Sequence, residues 1–181
     1  MIGFKKMDVT LLSQNSIKIK SKKASLIFDP VLDMQKNNAD AVILLSDKSF
    51  DLKKVEDYRV VISGPGEYEV GRIKINGVGT GSGTVYSLVV DGVNVLVGRG
   101  SDLSLIADKN QEHKVAVIKV DSEIKESIVT SIEPRLIILY GEKTDEAVKA
   151  LGKEKKDIEV GKKLSFNEDK LPEEMGVAVL S

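Results

Sequence analysis

The sequence predicts a single β-rich α/β domain over residues 1–181, built as a sandwich of two sheets with a few covering helices. Its side chains are 41% apolar but only 4% aromatic, so Val, Ile and Leu must form most of the core, and this favours strands. Short apolar runs separated by Gly, Pro, Asn and Asp fill the first hundred residues, whereas strand and helix patterns alternate after His113. A chain of 181 residues divided in two would have two very small cores.

The strands of the first half are predicted mainly from alternation of apolar and polar residues. Residues 41–45 differ, because their continuous apolar run is typical of a strand that is buried on both faces. The segment Gly64-Pro65-Gly66 predicts a tight turn between two strands, for which a hairpin is the plainest interpretation. The predicted strands cover residues 8–20, 24–28, 41–45, 60–62, 73–78, 84–90 and 93–97, and one or two helical turns are predicted at 51–57.

The second half predicts two helices between shorter strands. Isoleucines at every fourth position predict a helix over residues 122–132 with its apolar face inward. A second helix is predicted at 144–151, with Thr144 as its N-cap and Gly152 as its stop. The predicted strands cover residues 115–120, 136–139, 158–160, 164–166 and 177–180. The residues predicted to be buried throughout the chain are Leu26, Val42, Ile43, Leu44, Leu45, Val61, Leu88, Val95, Val117 and Ile137.

The composition argues against several classes of function. Cysteine is absent, which excludes disulfides and thiolate metal sites. The 27 basic and 28 acidic side chains are interspersed, so the charge pattern argues against a nucleic-acid or anionic-membrane partner. No apolar run approaches the roughly 20 residues of a membrane span. The first residues lack the apolar core of a signal peptide, so a cytoplasmic location is expected.

The remaining residue types allow little metal chemistry. Catalytic zinc takes three protein ligands and leaves one position for water, but the chain has a single histidine, His113, which we expect at the surface. Oxygen ligands for a hard cation such as Mg²⁺ would come from Asp47, Asp51 and Asp102, and the charge of Lys48 would oppose such a site. No Gly-x-Ser-x-Gly elbow is present, so a Ser-His-Asp hydrolase is not expected. We therefore predict no cofactor and no catalytic residue.

Six short segments, spread over nearly the whole chain, carry a resemblance to a known family: residues 7–19, Asp29-Pro30, 39–42, 64–70 (Gly-Pro-Gly-Glu-Tyr-Glu-Val), Asp91-Gly92 and 132–135. Taken in this order, they resemble segments of small metallo-β-lactamase-fold proteins. The resemblance implies an αββα sandwich of two similar halves, with a metal site at one edge between the sheets.

The same resemblance places other residues where enzymes of this family carry metal ligands. Ser46 and Lys48 stand at two histidine positions of the family's His-x-His-x-Asp-His loop, and Phe50 and Asp51 stand at its aspartate and its last histidine. A later histidine of the family corresponds to about Gly141 in this chain. Whether Asp102 corresponds to the family's bridging aspartate stays open. The predicted remnant site consists of Ser46, Asp47, Lys48, Asp51, Asp102 and Gly141.

Two hypotheses of function follow. In the first, the chain is a non-catalytic relative that has lost its metal ligands and keeps a structural or binding role, with self-association as one form. Lys48 is then expected to occupy the metal position and to pair with Asp102 or Asp51. The alternative is a hydrolase of unrecorded type that uses Ser46, Asp47, Lys48 or Asp102, because a buried lysine beside a serine acts as a base.

Overall fold

The computed structural model describes residues 6–106 and 112–181, which form two large sheets and a small two-stranded one. The strands, in chain order, are β1 (Met7–Ser13), β2 (Ser16–Lys20), β3 (Ser25–Phe28), β4 (Asn37–Asn38), β5 (Ala41–Ile43), β6 (Val55–Glu56), β7 (Val60–Ile62), β8 (Gly66–Val70), β9 (Ile73–Gly79), β10 (Thr84–Val90), β11 (Val93–Arg99), β12 (Val115–Val120), β13 (Leu136–Gly141), β14 (Glu159–Gly161), β15 (Lys163–Phe166) and β16 (Gly176–Leu180). The helices are α1 (Gly100–Leu103), α2 (Glu126–Ile132) and α3 (Thr144–Ala150), with 3₁₀ turns at Leu52–Lys54, Lys155–Asp157 and Glu168–Lys170.

The two large sheets each combine antiparallel and parallel pairing. The six-stranded sheet has the order β15-β1-β2-β3-β5-β7, and its last three strands are parallel. The eight-stranded sheet has the order β14-β16-β13-β12-β11-β10-β9-β8, with parallel pairing from β11 to β14. The inner faces of both sheets contribute to one buried aliphatic core. All three helices pack on the outer face of the eight-stranded sheet, and a second apolar cluster lies beneath them.

The predicted β-rich α/β sandwich is therefore confirmed, with one difference in its outer layers. On the six-stranded sheet, the outer layer is formed by connecting segments and a 3₁₀ turn, which cover a third apolar cluster. The predicted core residues are buried except Val61, which is half-buried on the end strand β7, while its neighbour Ile62 faces the core. None of the helices in the described residues combines the length and the apolar character that a membrane span requires.

The first predicted strand is in fact two. Residues 8–20 fold as β1 and β2, joined by a turn at Gln14-Asn15. The pairing places Val9 opposite Ile19, so odd-numbered residues face the core on both strands. The apolar alternation therefore continues through the turn without a break, and periodicity alone could not reveal it.

The Gly64-Pro65-Gly66 turn joins strands of different sheets, so the hairpin interpretation is wrong. It leads from β7 in the six-stranded sheet to β8 in the eight-stranded sheet. The hydroxyl of Tyr86 holds it in place by accepting from the Gly64 amide at 3.0 Å and donating to the Leu44 carbonyl at 3.1 Å. The turn therefore closes one side of the sandwich.

The predicted helices are present but shorter. α2 begins at Glu126, four residues later than predicted, although Ile124 ahead of it is still buried beneath the helices. α3 begins at Thr144, but its N-cap is Lys143, and no side chain caps it. Gly152 ends this segment with a φ of +68°, as glycine readily does.

Candidate functional site

Three polar side chains form a row where parallel strands of the eight-stranded sheet end. Arg99 on β11 pairs with Lys119 on β12, which pairs with Tyr140 on β13. In each strand these residues continue the alternation of inward apolar residues, so all three side chains face the space between the sheets. The carboxyl ends of these strands and the loop after β5 form the site edge, and such edges are where α/β sheets place ligand sites.

A buried ion pair at the site edge joins the two sheets. Asp29, which is only 3% exposed, follows β3 of the six-stranded sheet with a φ of +45°. Its carboxylate accepts from the Leu45 amide at 2.9 Å and from the Lys119 ammonium at 3.1 Å. Burial raises the pKa of Asp29 above its ordinary value, and the attraction of Lys119 only partly offsets this effect.

A second buried ion pair lies beside it on α1. One oxygen of Asp102 accepts from Arg99 Nε at 2.7 Å, and the other accepts from the hydroxyls of Thr80 at 2.7 Å and Ser82 at 2.6 Å. Burial alone would raise the pKa of Asp102, but the hydrogen bonds from Arg99, Ser82 and Thr80 outweigh it, so that the pKa lies below its ordinary value. Arg99 also donates to the Ser82 carbonyl at 2.8 Å.

Close contact between two loops holds this ion pair against the six-stranded sheet. The Thr84 amide donates to the Leu45 carbonyl at 2.9 Å. A Cβ atom at Gly83 would clash with the Leu45 carbonyl oxygen and would lie only 2.7 Å from a guanidinium nitrogen of Arg99. Glycine is therefore required here by the approach of the backbone rather than by its own φ.

Tyr140 completes the row without a visible partner. Its side chain is fully buried, and its hydroxyl makes no hydrogen bond with the described residues. Burial raises the pKa of Tyr140 well above its ordinary value, and the negative charges of Asp29 and Asp121 add to this effect. Asp121 itself accepts from the amide and hydroxyl of Ser101 at 3.0 and 2.7 Å.

The remnant site is distributed unevenly around the site edge. In the loop after β5, Asp47 and Lys48 are exposed, while Ser46 and Asp51 are half-buried. Asp51 caps the following 3₁₀ turn by accepting from the Lys53 amide at 3.0 Å. The last two residues, Asp102 and Gly141, lie on the eight-stranded sheet side of the same edge, and only Asp102 belongs to the buried ion pairs.

The predicted pairing of Lys48 with Asp102 or Asp51 is wrong. Asp102 pairs with Arg99, and Lys48 makes no ion pair or hydrogen bond within residues 6–106 and 112–181. The internal cations come from strands rather than from the loop, because a strand end fixes its side chain between the sheets, whereas Lys48 lies in the exposed part of the loop after β5. Arg99, Lys119 and Tyr140 were missed, although each ends a run of inward apolar residues with a polar one.

The expectation that His113 lies at the surface is also wrong. Its side chain is only 6% exposed, and Nε2 lies 2.8 Å from the Ser87 hydroxyl. His113 precedes β12 on the outer side of the eight-stranded sheet, away from the site edge, which is formed by the carboxyl ends of the strands.

The residues at the site edge do not fit a zinc ion. All four carboxylate oxygens of Asp29 and Asp102 already accept hydrogen bonds from protein donors. Two protein cations, Arg99 and Lys119, stand beside them, and their charge would repel a metal ion. Within the described residues, no three His, Cys, Asp or Glu side chains are grouped so that they could hold a metal ion.

Solved structures define the class of fold. The chain is similar to a protein from Thermotoga maritima assigned to the zinc-dependent hydrolases of the metallo-β-lactamase superfamily, with 21% identity, a TM-score of 0.73, and coverage of 96% of this chain and 98% of the other. It is also similar to a protein from Parabacteroides distasonis assigned as a metal-dependent hydrolase, with 15% identity, a TM-score of 0.63, and coverage of 98% and 94%. A third similar structure is a metallo hydrolase from Ignicoccus hospitalis, with 9% identity, a TM-score of 0.58, and coverage of 90% and 99%.

These similarities show that the chain has a metallo-β-lactamase-like fold. No protein-family model and no curated protein matches the sequence.

Proposed function

We propose that this chain is a metallo-β-lactamase-fold protein in which two buried ion pairs replace the metal centre, and that its role is structural or in binding rather than catalytic. The observation that carries the proposal is that every carboxylate oxygen of Asp29 and Asp102 accepts a hydrogen bond from the protein itself, and that each carboxylate is paired with a protein cation. A metal ion bound by either carboxylate would lie close to Lys119 or Arg99, whose positive charge would repel it.

Electrostatics supports the same interpretation. A buried carboxylate is costly unless it is paired, and in an enzyme of this fold the metal ion would supply the compensating charge. Here Lys119 and Arg99 supply it, with side chains that are 16% and 15% exposed. The pair between Asp29 and Lys119 also links the six-stranded sheet to the eight-stranded sheet without any metal.

The alternative hydrolase depends on the loop after β5. A lysine base must be buried, because desolvation is what favours its neutral form. Lys48 is exposed, as are Asp47 and Ser49 beside it. The condition on which this alternative depends is therefore not met, and the non-catalytic role has the stronger support.

Metal analysis combined with activity measurement tests the proposal. Protein purified without chelator is analysed by inductively coupled plasma mass spectrometry and is assayed against esters, phosphodiesters and lactones. We expect zinc well below one ion per chain and no turnover above that of heat-denatured protein. Stoichiometric zinc together with turnover would contradict the proposal. Light scattering after size exclusion tests for self-association, and cell fractionation tests the cytoplasmic location that belongs to the same proposal.

A further inference from the structure

A groove of about 770 Å³ lies on the outer face of the eight-stranded sheet, away from the site edge. The helices cover the outer face farther along this sheet, over β11, β12, β13 and β16. The groove is lined by residues of β8, β9 and β10, together with Asn94, Glu112 and His113. We call it the acidic groove, because Glu67, Glu69 and Glu112 line it and Lys74 is its single basic residue apart from His113.

One wall of the acidic groove is the last strand of the sheet. β8 pairs with β9 on one side and has no other neighbouring strand within the described residues. Glu67 and Glu69 are exposed at alternate positions on its outer face, whereas Tyr68 and Val70 turn inward against the core. An end strand of this kind presents unpaired backbone groups to which an extended peptide can add.

We propose that β8 binds an extended basic segment of a partner protein, which adds to the sheet as a further strand beside the acidic groove. Residues directly opposite on paired strands have Cβ atoms about 4.5–5.5 Å apart, so two basic residues separated by one residue would face Glu67 and Glu69. The residue between them would turn inward beside Tyr68. The recognised pattern is therefore basic, apolar, basic, in an extended conformation.

The charges decide between a basic partner and a second copy of this chain. If β8 paired with β8 of another molecule, Glu67 and Glu69 would face glutamates, and like charges opposite each other are destabilising. Charged residues on end strands are a common protection against such self-pairing. A basic segment would instead be attracted by the same two glutamates. The charges on β8 therefore disfavour pairing with a second copy of this chain and favour a partner of opposite charge.

This inference goes beyond the proposed function and does not depend on it. The acidic groove and the site edge share no residue, so metal analysis and peptide binding can fail separately.

Peptide binding to the full chain tests the inference. The ligand is a fluorescent seven-residue peptide with lysines at positions 3 and 5 and valine between them, and affinity is measured by anisotropy. Two lost charge pairs should weaken binding about 2- to 30-fold in Glu67→Gln/Glu69→Gln. The matched control is Glu159→Gln on β14, the strand at the opposite end of the same sheet, which should bind like the unmodified chain.

Two further measurements separate strand addition from simple charge attraction. Methylation of the peptide amides that face β8 should abolish binding, because it removes the backbone donors. The charge-swapped variant Glu67→Lys/Glu69→Lys should prefer a peptide with glutamates in place of the lysines, which keeps the test valid if the neutral variant misfolds. Equal binding of the lysine and glutamate peptides by the unmodified chain would overturn the inference. Retained binding of the methylated peptide, or dimers that form through β8, would do the same.

Discussion

The ion pair between Asp29 and Lys119 predicts a pH-dependent loss of stability in Lys119→Met. Methionine keeps most of the side-chain volume but leaves the Asp29 carboxylate buried with only the Leu45 amide as a partner. Breaking a buried pair in this way typically costs about 3–5 kcal/mol. Asp29 can escape by binding a proton, and from its ordinary pKa of 3.8 this costs at most about 4 kcal/mol at pH 7.

The direction of the pH dependence follows from the pKa of Asp29. Its pKa is raised in the folded protein, so the stability that it contributes is greatest below 3.8 and declines as the pH rises through the folded value. Loss of Lys119 removes an attraction that holds this pKa down, so the stability of the variant declines more steeply as the pH rises. We expect Lys119→Met to lower the free energy of unfolding by about 3–4 kcal/mol at pH 7. This loss should become smaller by up to about 1.4 kcal/mol for each pH unit toward pH 5.

Urea unfolding followed by circular dichroism at pH 5, 6 and 7 measures this loss. The matched control is Lys155→Met, which removes a lysine that is 75% exposed and paired with the exposed Asp145, and which should change stability by less than about 0.5 kcal/mol. The double variant Lys119→Met/Asp29→Asn should recover part of the loss. The reasoning is refuted if Lys119→Met behaves like the control, or if its loss of stability is the same at all three pH values.

Three further substitutions probe the same edge, each measured by urea unfolding. Asp102→Asn should cost roughly 3–5 kcal/mol above pH 3.8, and the difference should shrink as the pH falls through the lowered pKa of Asp102; a constant difference would contradict this. Tyr140→Phe should be neutral or stabilising by up to about 1 kcal/mol, since its buried hydroxyl has no partner in the described residues, and a clear loss would reveal one. Gly83→Ala should cost about 1–3 kcal/mol through its clash with Leu45, whereas Gly79→Ala, at an ordinary φ and with only van der Waals contacts to Pro65, serves as the control.

Most strands could be predicted because their apolar residues alternate, and β7 and β10 have the predicted bounds. The exceptions arose where tertiary structure decides. The turn at Gln14-Asn15 preserves the parity of the apolar residues, so β1 and β2 look like one strand. The Gly64-Pro65 turn has the local chemistry of any turn, and only the pairing partners of β7 and β8 show that it joins two sheets.

The sequence predicted where the candidate site lies better than it predicted which residues form it. The family resemblance brought Asp102 and the loop after β5 into consideration, and both lie at the site edge. It could not identify Arg99 or Lys119, because the resemblance concerns the family's metal-ligand positions and these two residues lie elsewhere, on strands. Their signal was present in the sequence, since each is the last inward position of an otherwise aliphatic strand.

The six-stranded sheet cannot be completed until long after β1 has been synthesised, because β1 pairs with β15. Met7 lies opposite Phe166, so β1 keeps an open edge until β15 has been made. At about 5–20 residues per second this interval lasts on the order of 10–30 s. Asp8 lies on that edge and forms an ion pair with Lys163 of β15 at 2.9 Å in the finished fold. We expect the same charge to deter pairing with other nascent chains beforehand, so that one aspartate serves the protein both during its synthesis and after it.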